Sequence, residues 1–529
     1  MLALGRAPCD EAVIRASEGD GGCSAEAKPW VLAATILGSS LAFIDSSVIN
    51  VALPAIQAKL AVSVQAAQWV INAYLLTLGA LILVGGAAGD RFGRRRVFVL
   101  GIILFIAASM VCGLAPSAAI LIVARAAQGI GGAMLVPESL AIISAAFPAE
   151  ERGKAIGTWA GFSALTTALG PVLGGALVDT LSWRAVFFIN LPLALLALAI
   201  TFRHVPESRA DVADAVVDWR GGALATLGLA GLAYGATAAS EAGWADPSVV
   251  GPLLGGIAVL GMFAWLEARA ASPMIPLDLF RSRIFAGANA MTLLLYAALG
   301  GALFFLPFDL IRLQGYSAAQ AGATFLPFSL IMGGLSRWAG ALVDRCGARL
   351  PLVVGPVIAA CGLMLLAVPG IGGSYWTNFF PAMVVLGLGM TISVAPLTAT
   401  VMGAVDQRRA GTASGINNAV ARIAGMLAVA LFGAMAVGIF RTALDLRLDR
   451  IGAAPELARA MEAQASRLLE ATVPANVTGE IRQTLEAAID DAFLRAFRAV
   501  MLTAAGLALA SAFTAALTVD GKRGRALRR

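Results

Sequence analysis

Residues 86–96 read Gly86-Ala87-Ala88-Gly89-Asp90-Arg91-Phe92-Gly93-Arg94-Arg95-Arg96, and 254 residues further on Gly340, Asp344, Arg345, Gly347 and Arg349 repeat the pattern G-x3-D-R-x-G-x-R. A second set, Gly153, Ala155 and Gly157, recurs as Gly411, Ala413 and Gly415 at an offset of 258. Two collinear matches at nearly one offset argue that the chain is built from duplicated halves. Within each copy the glycines allow helices to meet closely and the chain to turn. The aspartate can bond backbone donors at a neighbouring helix end, and the arginines can pair across the half. Taken singly, Arg94 to Arg96 read equally well as a merely basic loop; the repeated pattern favours a conformational latch.

Outward from these loops the chain is apolar. Of 529 residues 59% are hydrophobic and 13% are charged, about half the ~25% of a soluble domain, which excludes a soluble enzyme. Apolar windows of spanning length fall at about 31–53, 68–89, 97–115, 118–147, 155–178, 185–203, 220–239, 249–267, 284–308, 319–342, 351–369, 376–401, 412–439 and 497–519. These are fourteen transmembrane helices of an all-α membrane protein. Alternate connections hold 24 Lys and Arg, whereas the short ones between hold three, Lys59, Arg184 and Arg312. By the positive-inside rule the basic side and both termini are cytoplasmic. The net charge of +6 therefore reports membrane orientation, and nucleic acid is not implied. Residues 1–29 lack a long apolar core and read as a tail rather than a signal peptide.

One charged stretch falls outside this pattern. Residues 440–496 are placed outside the membrane, and Ile481, Leu485, Ile489, Phe493 and Phe497 recur there every four residues. That spacing predicts amphipathic helices lying on the bundle or the lipid surface, with a spacer role favoured over a gate or lipid contact. Cys9, Cys23, Cys112, Cys346 and Cys361 form no CxxC pair, and the single histidine, His204, sits in a polar stretch as a solvated loop residue. No metal site, catalytic residue set or cofactor is expected. No G-x-x-x-x-G-K-[ST] loop occurs, so energy must come from a gradient.

Five charges fall in the interior of the spans, away from their ends: Asp45, Arg125, Glu138, Arg337 and Arg422. A charge at bilayer depth costs about 2.5–3.5 kcal/mol on insertion scales, so each is a functional candidate. Asp45 can gain and lose a proton and is the leading carrier, the alternative being a structural aspartate bonded to helix backbone. Arg125 stays protonated and acts by its field, with Gln128 three residues on along the same face. Glu138, just after Pro137, is a second titrating candidate or a vestibule or packing residue. Between 284 and 439 the spans contain no carboxylate; Asp309 falls at an outer edge with Arg312 close by. Neutral, monocationic or anionic lipophilic solutes are therefore expected to be preferred over dications, whose two charges need paired carboxylates.

The loop at 86–96 resembles the signature loop of the major facilitator superfamily, with Gly86, Asp90, Arg91, Gly93 and Arg94 as its latch and Asp344 and Arg345 in the second copy. Arg125-Ala-Ala-Gln128-Gly129 is similar to that family's R-x-x-Q-G motif, whose arginine is associated with proton coupling. Gly170-Pro171-Val-Leu-Gly174-Gly175 resembles the motif that marks its antiporters. The stretch from Asp45 through Asn50 to Pro54 resembles a signature of fourteen-helix drug:proton antiporters. So do Trp183-Arg184 through Asn190 and Pro192, Asp218 to Gly221, and Gly411 to Gly415 with Arg422.

The resemblance implies the major facilitator fold: two six-helix bundles, 30–203 and 284–519, joined by two additional helices within 204–283, with a basic tail at 520–529. It implies a proton-coupled exporter of lipophilic small molecules in the cytoplasmic membrane, working by alternating access. Proton coupling falls to Asp45, Arg125 and Glu138, and Gln128, Asn50, Asn190 and Asp309 are candidate cavity residues. Its partners are a lipophilic solute, protons and the lipid bilayer; the chain is read as a monomer, with any periplasmic accessory partner unknown. A symporter on the same fold is the alternative, against which Gly170-Pro171 counts, and a non-transporting sensor comes third.

Overall fold

The computed structural model describes residues 26–208, 218–270, 273, 275–405, 410–451, 461, 477 and 479–519. Among them there is no strand, and fourteen helices are long and apolar enough to cross a membrane. We number these α1 to α14. The first half contains α1 (Lys28–Leu60), α2 (Val64–Phe92), α3 (Arg94–Leu114), α4 (Ala118–Ala146), α5 (Ala149–Thr180) and α6, in two pieces (Ala185–Phe188 and Asn190–His204). The pair α7 (Trp219–Ala242) and α8 (Pro247–Glu267) follows. The second half contains α9 (Arg283–Arg312), α10 (Ala318–Ala323 and Leu326–Cys346), α11 (Arg349–Leu366) and α12 (Tyr375–Asn378 and Phe380–Gly403). It closes with α13 (Ala410–Arg450) and α14 (Gly479–Thr518).

Each of the fourteen apolar windows falls on one of these helices, which is what a bilayer demands, since every backbone polar group must be satisfied within its own segment. We call the end that carries the arginine-rich loops the inner end. Helices α7 and α8 pack on each other through glycines: a Cβ built on Gly231 would lie 2.8 Å from the Pro252 carbonyl oxygen. The pair leans on the rest of the bundle through α7, where Trp69 Nε1 of α2 donates to Thr237 Oγ1 at 3.1 Å. Most of α8 faces outward, with Leu254, Ile257, Met262 and Trp265 exposed.

The halves meet along two lines. In one, α2 and α13 run side by side for the whole depth, Gln68 against Gly433, Leu75 against Gly425, Gly79 against Arg422 and Leu83 against Gly415. In the other, α5 and α10 touch only towards the outer end. A Cβ on Gly175 would lie 2.2 Å from the Ala318 carbonyl oxygen, and one on Gly322 would lie 2.0 Å from that of Pro171. Asp179 seals this contact by accepting the backbone N–H groups of Ala318 (3.1 Å) and Ala319 (2.7 Å) at the start of α10. Deeper along the same two helices Gly161, Gly334 and Gly340 have nothing within 4 Å of where a Cβ would stand. Along this line the close contacts found among the described residues lie at the outer end.

Three expectations need correction. Residues 440–450 and 479–496 are not separate helices laid on a surface: α13 and α14 run on continuously past the apolar windows into both flanks of that stretch. At 41 and 40 residues and 1.5 Å per residue they reach about 60 Å, roughly twice the hydrocarbon thickness. Leu485, Ile489, Phe493 and Phe497 are buried in the core against Leu444 and Leu448, whereas Ile481 is exposed. Ion pairs brace the extension: Arg447 to Asp491 at 2.6 Å and Arg312 to Asp490 at 3.1 Å. Much of 452–478 lies outside the described residues. Second, His204 closes α6 and stacks on Trp30 with ring centroids 5.0 Å apart, because the helix continues to it instead of ending in a polar loop. Third, α9 extends to Arg312, so Asp309 is inside a span and fully buried, and the second half does hold a carboxylate.

Candidate functional site: a buried ion pair in the first half

Asp45, midway along α1, is fully buried, as is Arg125 of α4. Their side chains form a salt bridge through Arg125 Nη1 and Asp45 Oδ2. The apolar walls put both charges where neither can be hydrated, so the remaining lone pairs and N–H groups need protein partners. Arg125 Nε donates to the Val70 carbonyl oxygen of α2 at 3.0 Å, and Nη1 also donates to Gln128 Oε1 at 2.8 Å. Gln128 Nε2 donates to Asp45 Oδ1 at 2.8 Å, and Asn190 Nδ2 reaches the same oxygen at 3.3 Å. The guanidinium lies over the Tyr74 ring, 4.4 Å from its centroid, where the ring face favours a desolvated cation.

The three-residue spacing of Arg125 and Gln128 places both on one face of α4, so one turn supplies the cation and an amide that bridges both ions. Asn190 arrives from the first turn of the second piece of α6 and also donates to Ser109 Oγ of α3 at 3.0 Å. Five helices thus contribute to one network, α4 and α6 bonding the carboxylate itself and α2 and α3 bonding its partners. Of the residues expected to line a cavity, Gln128 and Asn190 are instead enclosed partners of Asp45. Asn50 points elsewhere, with Nδ2 donating to the Ser46 carbonyl oxygen of its own helix at 3.3 Å. Asp309 is in the other half, accepts from Gln314 Nε2 at 3.4 Å, and has no partner for Oδ1 among the described residues.

Glu138 is not part of the Asp45 network. It is fully buried at the inner part of α4, and a Cβ on Gly89 would lie 2.1 Å from its carboxyl group, so the α2 loop motif carries glycine where this side chain sits. One residue on, Asp90 Oδ1 accepts from Arg94 Nη2 at 2.8 Å, and Arg94 Nη1 reaches the Ala141 carbonyl oxygen at 3.5 Å. Gly93 holds φ +108°, a left-handed value that favours glycine, and this sharp joint starts α3 immediately after α2. Gly86 meets Pro137, and Arg91 lies over Phe92, 5.6 Å from the ring centroid. The side chains of Asp344, Arg345 and Arg337 lie outside the described residues. Gly170 and Gly174 let α5 press on Ser47 and Val48 of α1, and Pro171 and Gly175 face α10. Arg422 packs its Cβ on Gly79.

A family profile described as Major Facilitator Superfamily matches residues 35–429. The chain belongs to this superfamily. Similar proteins include the multidrug resistance protein Stp of Mycobacterium tuberculosis, 36% identical over 79% of this chain and 78% of that one. The tetracenomycin C resistance and export protein of Streptomyces glaucescens is 32% identical over 93% and 92%. Among solved structures, a bacterial homolog of the human lysosomal transporter Spinster has a TM-score of 0.65 at 19% identity, covering 93% of this chain and 98% of that one, a likeness of fold. The chain is thus a major facilitator transporter with fourteen candidate spans.

Several participants in this transporter's buried network carried no signal in the sequence. Ser109, Cys112 and Tyr74 are ordinary helix residues until the fold brings them to Asn190, Gln128 and Arg125. Glu207, beyond α6, accepts the Arg95 backbone N–H at 3.1 Å and pairs with Arg96 at 3.6 Å, tying the first latch loop to the end of its own half. No group of three or more His, Cys, Asp or Glu suited to a metal occurs among the described residues.

Proposed function

We propose that the chain is a proton-coupled exporter of lipophilic small molecules, acting in the cytoplasmic membrane with both termini inside. The observation that carries this reading is the salt bridge of Asp45 and Arg125, fully enclosed within the first half. A protonatable carboxylate held by a permanent cation is a two-state element. Protonating an oxygen of Asp45 removes the negative charge, and Arg125 keeps its bonds to Val70 and Gln128 while losing its ionic partner. The two protonation states thus differ in how firmly α1 is bound to α4. A proton entering from outside and leaving inside can bias which end of the bundle is open, the requirement for alternating access.

The resistance and export functions printed for the relatives support the outward direction of transport. At ~150 mV one proton supplies about 3.5 kcal/mol, enough for a roughly 300-fold gradient of a neutral solute. Asp45 is neutralised by Arg125, and in the second half Asp309 is a fully buried carboxylate whose Oδ1 has no hydrogen-bond partner among the described residues. Neutral and monocationic solutes should therefore be exported better than dications. The test is efflux of matched neutral, mono- and dicationic dyes from energised cells, with and without an uncoupler. Uncoupler-sensitive export of the first two supports the reading; dication export alone, or export indifferent to the uncoupler, refutes it.

A further inference from the structure

Two side-chain amides in the α2/α13 seam take no part in the Asp45 network. Gln68 and Asn72 are fully buried, and none of their four side-chain nitrogen and oxygen atoms has a hydrogen-bond partner among the described residues. Spaced four apart, they share one face of α2. That face continues through Leu75, Gly79 and Leu83, each of which meets α13, so both amides are turned toward the other half. Gly433 of α13 makes room for the first: a Cβ there would fall 1.3 Å from Gln68 Nε2. Val70 and Tyr74, which serve Arg125, lie on the opposite face, roughly 180° away at 100° per residue. One rigid helix therefore carries the proton network on one side and the unpaired amides on the other.

Buried amides are nearly always paired, and leaving two unpaired in an apolar seam is costly. We infer that Gln68 and Asn72 form a neutral hydrogen-bonding station between the halves that takes the polar handle of a lipophilic substrate, a carbonyl, amide or hydroxyl group. The inference rests on the export reading above. Each amide offers both donor and acceptor and no charge, so the station accepts either polarity of neutral group and gives a cation no compensating charge. Both residues lie in the outer half of α2, within about two turns of its start at Val64. The alternation that parts the outer ends of the halves would bring them within reach of solute.

The experiment uses Gln68→Leu and Asn72→Leu in the full-length transporter. It adds Gln68→Met, unbranched and close in shape, and Gly433→Ala, which displaces the Gln68 amide from the opposite helix. Two fluorescent solutes sharing one ring system, one bearing a carboxamide and one without it, are measured by equilibrium binding to purified protein and by efflux. We expect Kd and KM for the carboxamide solute to rise about tenfold in each variant, with values for the plain solute unchanged. In the Gln68 and Asn72 variants melting temperature should hold or rise, because an apolar side chain replaces an unpaired amide, whereas Gly433→Ala is read by solute discrimination alone, since its added methyl crowds the seam. Equal changes for both solutes, no change for either, or a fall in melting temperature without loss of solute discrimination would overturn the station. Failure of the wild type to export either solute would instead overturn the export reading, and the binding measurement would still decide the role of the amides.

Discussion

The two halves share a sequence repeat, yet their polar interiors differ in kind. In the first half an ion pair is held by two side-chain amides and a backbone carbonyl, one of the amides in turn bonded to the Ser109 hydroxyl. In the second half, Asn417 Nδ2 of α13 donates to Thr292 Oγ1 at 2.6 Å and to Asn289 Oδ1 at 3.2 Å on α9, with no charge involved. A neutral cluster joins two helices and keeps the same energy whatever the proton does. An ion pair changes its energy when one member titrates. Under the proposed reading this asymmetry puts the ion-pair element in the first half, while the second half's buried carboxylate, Asp309, stands apart from the Asn417 cluster.

The comparison breaks first at Asp45. Asp45→Asn should abolish gradient-driven export and lower the melting temperature, since removing one partner of a buried pair costs about 3–5 kcal/mol by leaving the other charge uncompensated. Adding Arg125→Gln should recover much of the stability and none of the coupling. Export by reconstituted vesicles with an imposed pH gradient, alongside thermal unfolding, reads both. If Asp45→Asn still pumps, the ion pair is scaffolding and the two halves are alike.

Arg125→Lys comes next in size. The ammonium can keep the charge opposite Asp45 but cannot reproduce the planar fork that serves Asp45, Gln128 and Val70 at once. Partial export and a shifted pH–rate profile are expected, with Arg125→Ala inactive. A fully active Arg125→Ala would remove the arginine from coupling. The neutral Asn417 cluster gives the contrasting result. Asn417→Leu loses two hydrogen bonds worth about 1 kcal/mol each, while Asn289 and Thr292 keep their bonds to Phe285 and Ala288 of their own helix. Melting should drop modestly and the uncoupler sensitivity of export should stay as in the wild type.

Much of this was legible in the sequence for physical reasons, and the failures are equally physical. Apolar windows found all fourteen helices because lipid leaves the chain no other way to satisfy its backbone. They misjudged α13 and α14 because charged surface residues such as Arg447 and Asp491 end a hydropathy window without ending a helix. The same error cut α9 short of Asp309. Asp45 and Arg125 stood out as charges within spans, and spacing joined Gln128 to them. Gln68 and Asn72 did not stand out: an uncharged amide is passed over by a search for charges within spans, and the opposing Gly433 reveals where Gln68 points.

The smallest effect on stability belongs to the latch, and it sharpens the comparison because the motif is present in both halves. Asp90 is partly exposed and pairs with Arg94 one turn on, a contact worth about 0.2–1 kcal/mol in a setting open to water. Asp90→Asn should therefore leave melting almost unchanged. The pair nevertheless ties the end of α2 to the start of α3, and Arg94 continues to Ala141 of α4, beside the buried Glu138. Three helices of the first half thus meet at the inner end, where on the proposed cycle the halves part and close. Neutralising Asp90 should slow turnover several-fold while solute Kd stays within about twofold of wild type, since no part of the Asp45 network or the α2/α13 seam changes. Stopped-flow efflux with equilibrium binding separates the two quantities. A large change in Kd with turnover intact would assign the loop to solute binding instead. A matching slowdown in Asp344→Asn would show that both copies of the repeat govern the same step, although only the first half carries the ion pair.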